Sequence, residues 1–204
     1  MTFAELSIES FHEALADGSP TPGGGSAAAV TAACGAAAVE MVCTVSLNDA
    51  AYEAVHEELA AAAHELKRLR DRLHELADED AAAFDGVITA FRKPKDDPDR
   101  STAIQEAMTT AAEIPLETAE VALEVLQYAE VAAREGNQNA VTDAGTGAQL
   151  AHAAITSALF NVDINLGSIS DESTIDRLQY RREELAEEAS ALLNRVDTIV
   201  AEAV

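Results

Sequence analysis

Four groups of residues in this chain combine types and spacings that suit ligand binding or proton movement. The first is Ser19-Pro20-Thr21-Pro22-Gly23-Gly24-Gly25-Ser26. Two prolines restrict the backbone, and three glycines release it just before a small-residue, apolar run. Glycines leading into a helix expose backbone N–H groups to a ligand, and the helix dipole adds to their pull. No Gly-Lys-Ser/Thr follows, so this is not a nucleotide phosphate loop. The alternative is a tight turn that needs positive φ. The second group is Arg92, Lys93, Lys95 and Arg100, which holds two of the chain's three lysines. It suits an anion, or equally it serves Asp96, Asp97 and Asp99 and the end of a helix.

The third group is Gly136-Asn137-Gln138-Asn139-Ala140-Val141-Thr142-Asp143. Capping accounts for Gly136 and for one of Asn139, Thr142 or Asp143. The run is denser in amide and carboxylate groups than capping requires. The fourth is Asn161 and Asn165, four apart and therefore on one face of an otherwise apolar helix. A buried amide without a partner is costly, so a ligand edge with alternating donors and acceptors would suit this pair.

Two carboxylates stand apart from the general acidity. Glu40 is the one charge in an apolar run, so it either reaches the end of a bundle or sits in a site with a perturbed pKa. Asp80, four residues before Phe84, belongs to a site or, beside Asp78 and Glu79, to the surface. The histidines (His12, His56, His64, His74, His152) show no i,i+3 or i,i+4 pairing and read as structural, with no metal site. Cys34 and Cys43 read as small core residues rather than a disulfide or metal pair.

Positioning these groups falls to helices. Ala27–Leu47 carries only Glu40 as a charge and, with Ser26 as N-cap, predicts a helix apolar on all sides, buried at the centre of a bundle. Ser7 predicts the start of a short amphipathic helix from Ile8 to Asp17. Leu59, Leu66, Leu69, Leu73 and Leu76 place a long helix over Tyr52–Arg92. A charged, proline-containing loop then precedes a helix over Arg100–Arg134, in which Pro115 predicts a kink or break. Helices over Thr142–Leu166 and Asp171–Ala203 complete the chain. No stretch alternates with period two. The expected fold is all-α: an up-and-down bundle of five or six helices around the Ala-rich helix, with residues 1–204 as one domain.

The net charge of −24, from 37 acidic and 13 basic residues, opposes binding to nucleic acid or an anionic membrane. Such a surface repels itself at ordinary ionic strength but is screened in molar salt, where the Debye length is about 3 Å, which points to an extreme halophile. The N-terminus lacks a basic, apolar leader. The Ala27–Leu47 helix is weakly hydrophobic for a membrane span and has no basic flanks, so a cytoplasmic location is expected.

Several landmarks occur together and in order. They are Pro20-Thr21-Pro22-Gly23-Gly24-Gly25-Ser26, Asp80 to Phe84, Pro94-Lys95, Ala103-Ile104-Gln105-Glu106-Ala107 with Pro115, Gly136-Asn137 with Thr142-Asp143, and Asn161-Val162 with Ile164-Asn165-Leu166. As an ordered set covering nearly the whole chain, they resemble the cyclodeaminase/cyclohydrolase family of folate enzymes. Thr142 stands where that family usually has serine and keeps the hydroxyl. The resemblance implies an all-helical homodimer acting on a one-carbon tetrahydrofolate, as methenyltetrahydrofolate cyclohydrolase or formiminotetrahydrofolate cyclodeaminase, with no metal or redox cofactor. Both reactions pass charge between an amidinium-like cation and a neutral adduct, so a carboxylate can stabilise the cation and shuttle the proton. The resemblance assigns this first to Asp143, with Glu40 or Asp80 in reserve. It gives pterin recognition to Asn137, Asn139, Asn161 and Asn165 beside Thr142. Anchoring of the glutamate tail goes to the loop Pro22, Gly23, Gly24, Gly25 and Ser26 with Lys95. A non-catalytic folate-binding or dimeric scaffold would need neither Asp143 nor the paired asparagines.

Overall fold

A computed structural model describes residues 2–204, which form six α-helices and no strand among the described residues. They are α1 (Ile8–Ala16), α2 (Gly24–Leu47), α3 (His56–Arg92), α4 (Arg100–Glu135), α5 (Val141–Leu166) and α6 (Glu172–Ala203). Short 3-10 turns at Phe3–Glu5, Ala50–Val55 and Gln138–Ala140 link or precede them. Alanine-rich faces let α2 pack on α3, α5 and α4, while α6 closes the far side against α4 and α5. The core is built from alanine and leucine, including Ala29, Ala32, Ala36, Leu66, Leu69, Leu73, Leu76 and Leu126.

The central crossing is tight. A Cβ on Gly147 of α5 would overlap Val39 of α2, and one on Gly35 would lie 2.9 Å from the Gly147 carbonyl oxygen. Only glycine at both positions lets these backbones approach so closely. Between α3 and α4 the clamp is ionic: Arg72 of α3 meets Glu117 of α4 at 2.8 Å and is braced within its own helix by Glu79 at 2.6 Å.

The helix boundaries depart from expectation at informative places. Gly23 is the N-cap of α2, so Gly24, Gly25 and Ser26 lie inside the helix and Ser26 does not cap it. None of these glycines adopts positive φ; Gly18 alone does, at 85°, where α1 has ended. The Thr21–Pro22 peptide bond is cis. Ala50–Val55 is a 3-10 turn rather than the beginning of α3. Pro115 does not break α4, which runs on through it.

The α2 helix is long and apolar enough to cross a membrane, yet half of it is buried in the bundle. The expectation that it is covered on every side fails along one stripe. Ala27, Val30, Thr31, Cys34, Ala37, Ala38, Met41 and Val45 recur at three- and four-residue spacing and are all partly or fully exposed. Cys34 is consequently exposed, whereas Cys43 is a buried core thiol whose pKa burial pushes up to about 11.

Candidate functional site

At the N-terminal end of α2 the bundle opens into a cleft of about 310 Å³, at the lower end of the usual range for small-molecule sites. One wall is the loop Pro20, Thr21, Gly23, Gly24 and Gly25, and the other is Asn161, Ile164 and Asn165 of α5. Because α3 runs antiparallel to α2, it brings Asp80, Ala83, Phe84 and Val87 to the same place. These four recur at i, i+3, i+4 and i+7, so one face of α3 supplies a carboxylate and an apolar floor.

Asp80 is the focus of the cleft. Its Oδ2 accepts from the Ser26 amide at 2.8 Å and from the Ser26 hydroxyl at 2.9 Å, so the side chain of α3 caps the first turn of α2. Burial raises its pKa above the ordinary carboxylate value, and the two Ser26 hydrogen bonds oppose that rise. A carboxylate poised in this way, in a cleft, suits proton transfer. Gly25 is glycine for a steric reason: a Cβ there would occupy the space of the Asp80 carboxylate. The amides of Gly24 and Gly25 belong to the first turn, where intrahelical partners are lacking, and they sit at the positive end of the dipole.

The asparagine wall is held by a chain of hydrogen bonds. Asn161 Nδ2 donates to the Ser157 carbonyl at 2.9 Å, and Asn165 Nδ2 donates to Asn161 O at 2.9 Å and to Ala111 O at 2.7 Å. Gln105 of α4 fixes the next turn from both sides, donating to Ser168 O at 3.2 Å and accepting from Ser170 N at 2.6 Å. The end of α5 is thus tied to α4 beside the cleft.

Within one chain the remaining candidates lie elsewhere. Asn137, Asn139, Thr142 and Asp143 sit at the opposite pole, where α2 ends and α5 begins. There Asn137 N donates to the buried Ser46 hydroxyl at 2.8 Å, and Asn137 Oδ1 accepts from Asn139 N at 2.9 Å, which is capping. Asp143 is exposed in the first turn of α5, 21 residues before Ile164 and so about 32 Å along the helix from the cleft. Asp143 therefore does not share a cleft with Asp80 in a single chain. Glu40 is neither at the end of the bundle nor in the cleft; midway along α2 its Oε2 lies 2.7 Å from Arg70 Nη1 of α3, too obliquely for a hydrogen bond.

Lys95 stands exposed in the turn between α3 and α4, outside the cleft lining. Its neighbours are engaged locally: Lys93 pairs with Asp97 at 3.2 Å, and Arg100 donates to Lys93 O and Phe91 O. Pro22 is buried behind the loop. Among the described residues no three His, Cys, Asp or Glu side chains converge as a metal site would require. Sequence reasoning did not place Ala83, Val87, Ala111 or Ile164 at the site. The i, i+3, i+4, i+7 pattern that begins at Asp80 was the signal for the first two.

Comparison with known proteins gives a consistent result. Residues 7–184 match the family described as formiminotransferase-cyclodeaminase. The methenyltetrahydrofolate cyclohydrolase of Methylorubrum extorquens is 37% identical over 193 residues, covering 93% of each chain. The formimidoyltransferase-cyclodeaminase of Gallus gallus is 32% identical over 91% of this chain, but only 36% of that longer protein is covered. The formiminotetrahydrofolate cyclodeaminase of Thermotoga maritima, a crystal structure, superposes with a TM-score of 0.92 at 29% identity over 98% of each chain.

Proposed function

Since the chain belongs to the formiminotransferase-cyclodeaminase family, we propose that the Asp80 cleft is where it binds and transforms a one-carbon derivative of tetrahydrofolate. The protein is an enzyme of folate one-carbon metabolism, a cyclohydrolase or cyclodeaminase. As a cyclohydrolase it adds water to the bridging carbon of 5,10-methenyltetrahydrofolate, and the adduct opens to 10-formyltetrahydrofolate with release of a proton. As a cyclodeaminase it directs N10 onto the N5-formimino carbon, and the tetrahedral adduct expels ammonia to leave the methenyl bridge. Both routes need a group that balances an amidinium-like cation and carries one proton. Asp80 has the burial, the raised pKa and the place in the cleft for that task. Asn161 and Asn165 face the pterin, while the first-turn amides of α2 attract the carboxylates of the tail. No metal or redox cofactor takes part in this scheme.

The observation that carries this assignment is the Asp80 carboxylate held by Ser26 against Gly25, in a cleft that Asn161 and Asn165 share. The test follows the absorbance of 5,10-methenyltetrahydrofolate in molar KCl, and ammonia release from the formimino compound. Accelerated loss or ammonia release is expected. Neither, with a folded protein, removes the assignment.

The active form in this proposal is a homodimer joined through the uncovered stripe of α2 and the flank of α5. Met41, Val45, Phe160 and Ile164 are exposed there at 40%, 40%, 64% and 74%. In a chain of −24 this stretch is nearly free of charge, so it is where two copies approach without repulsion. Two helices about 36 Å long and about 20 Å wide together offer about 700 Å² per chain, close to a standard interface. Antiparallel pairing of α2 with its copy sets the opposite pole of one chain, with Asp143, beside the Asp80 cleft of the other. Asp143 then contributes from the partner. The free thiols Cys34 and Cys43 suit a reducing, cytoplasmic setting, and the acidity of the surface suits a halophile.

A further inference from the structure

Pro115 lies inside α4, one of the least favourable places for proline, and is buried there. Having no N–H, it cannot donate to the carbonyl four residues earlier, that of Ala111. That oxygen is not left empty: Asn165 Nδ2 of α5 donates to it at 2.7 Å. The second hydrogen of the same amide goes to Asn161 O at 2.9 Å. Both donors of Asn165 are therefore committed to backbone, and its Oδ1 is the group left for the cleft that Asn165 and Ala111 line together.

We infer that Pro115 is a positioning residue for the cleft: by vacating the Ala111 carbonyl it fixes Asn165 as a hydrogen-bond acceptor toward the substrate. The inference rests on the proposed function for the identity of that substrate, whose pterin offers ring N–H and amino donors. An ordinary residue at 115 would supply the main-chain donor that Ala111 O lacks. The Asn165 amide would then have to share that oxygen with a main-chain N–H, which weakens its inter-helix anchor and leaves it freer to turn over, presenting NH₂ where an acceptor is needed. A donor facing a donor rejects the ligand, so one missing N–H sets the polarity of this wall.

The test is Pro115→Ala, assayed with 5,10-methenyltetrahydrofolate and melted in the same molar KCl. KM should rise about tenfold, the scale of one misplaced hydrogen bond, with kcat within about twofold. The melting temperature should hold or rise, because alanine suits a helix interior better than proline. A purely structural proline would move stability and kinetics down together. The double variant Pro115→Ala/Asn165→Ala should be no worse in KM than Asn165→Ala alone, since the two act through one group. An unchanged KM in Pro115→Ala, or losses that multiply in the double variant, overturns the inference. If the wild type transforms neither folate compound, the proposed function fails by itself. The side-chain amide resonance of Asn165 then decides the positioning claim: loss of its hydrogen-bonded shift in Pro115→Ala supports it, and an unchanged resonance overturns it.

Discussion

Asp80 shows how a single residue can be costly to the fold and useful to the site. Its folded pKa is raised by burial, so its contribution to stability is fully present below the ordinary carboxylate pKa and is lost as pH rises through the raised value. At neutral pH the ionised side chain is a charge held at a cost, offset only by Ser26. Asp80→Asn keeps an acceptor for both Ser26 donors and removes the charge. Its melting temperature should equal the wild type at low pH, gain on it as pH rises from the ordinary carboxylate pKa to the raised value, and hold a constant excess above that. Turnover should fall by about 10²–10⁴, the usual worth of a positioned acid or base. In the wild type the acid limb of kcat/KM should lie above the pH at which an ordinary aspartate titrates. A variant with lowered stability at pH 7 and near-full turnover would remove Asp80 from the chemistry.

At the scale of elements, α2 carries both the site and the proposed contact with a second copy. Its first turn starts three residues before Ala27, because Asp80 of α3, rather than Ser26 of its own chain segment, satisfies the exposed amide. Its periodicity conceals a division of labour. One side is buried against α3, α4 and α5, and the stripe through Cys34 and Met41 is not. Met41→Asp places a charge in the middle of that stripe without touching the core. It should leave the helical content unchanged and convert a dimer to a monomer in molar salt, read by light scattering. A wild type that is already monomeric would remove the proposed dimer, and a variant that stays dimeric would place the interface elsewhere.

For the whole molecule, the separation of polar groups to opposite ends of the bundle matters most. The α2 and α5 helices are antiparallel, so Asp143 and Asp80 are about 30 Å apart in one chain, and it is the antiparallel partner of the proposed dimer that would bring them together. Subunit mixing tests this directly. Asp80→Asn and Asp143→Asn should each be nearly inactive alone. A purified mixed dimer would contain one intact cleft of two and should recover about half of the wild-type activity. No recovery would place both carboxylates' roles within a single chain, and full activity of Asp143→Asn alone would dismiss that residue from the site.

What the sequence by itself determined was the helical class, all six helices to within a few residues, and the family. These follow from local patterns: leucine spacing in α3, Ser7 as the cap of α1, the absence of alternation, and an ordered set of motifs. It also singled out Gly25, Asp80, Asn161 and Asn165, because residue types out of keeping with their surroundings are visible in one dimension. Which of the candidates meet was not visible there. Helix direction and register decided that Asp80 reaches Ser26 and that Glu40 ends on Arg70 instead. The same holds for Pro115: the sequence shows a missing donor, and only the packing of α5 on α4 shows that Asn165 uses the carbonyl it leaves free. Local propensity is written along the chain, whereas the partner of a buried polar group is chosen by which helices lie side by side.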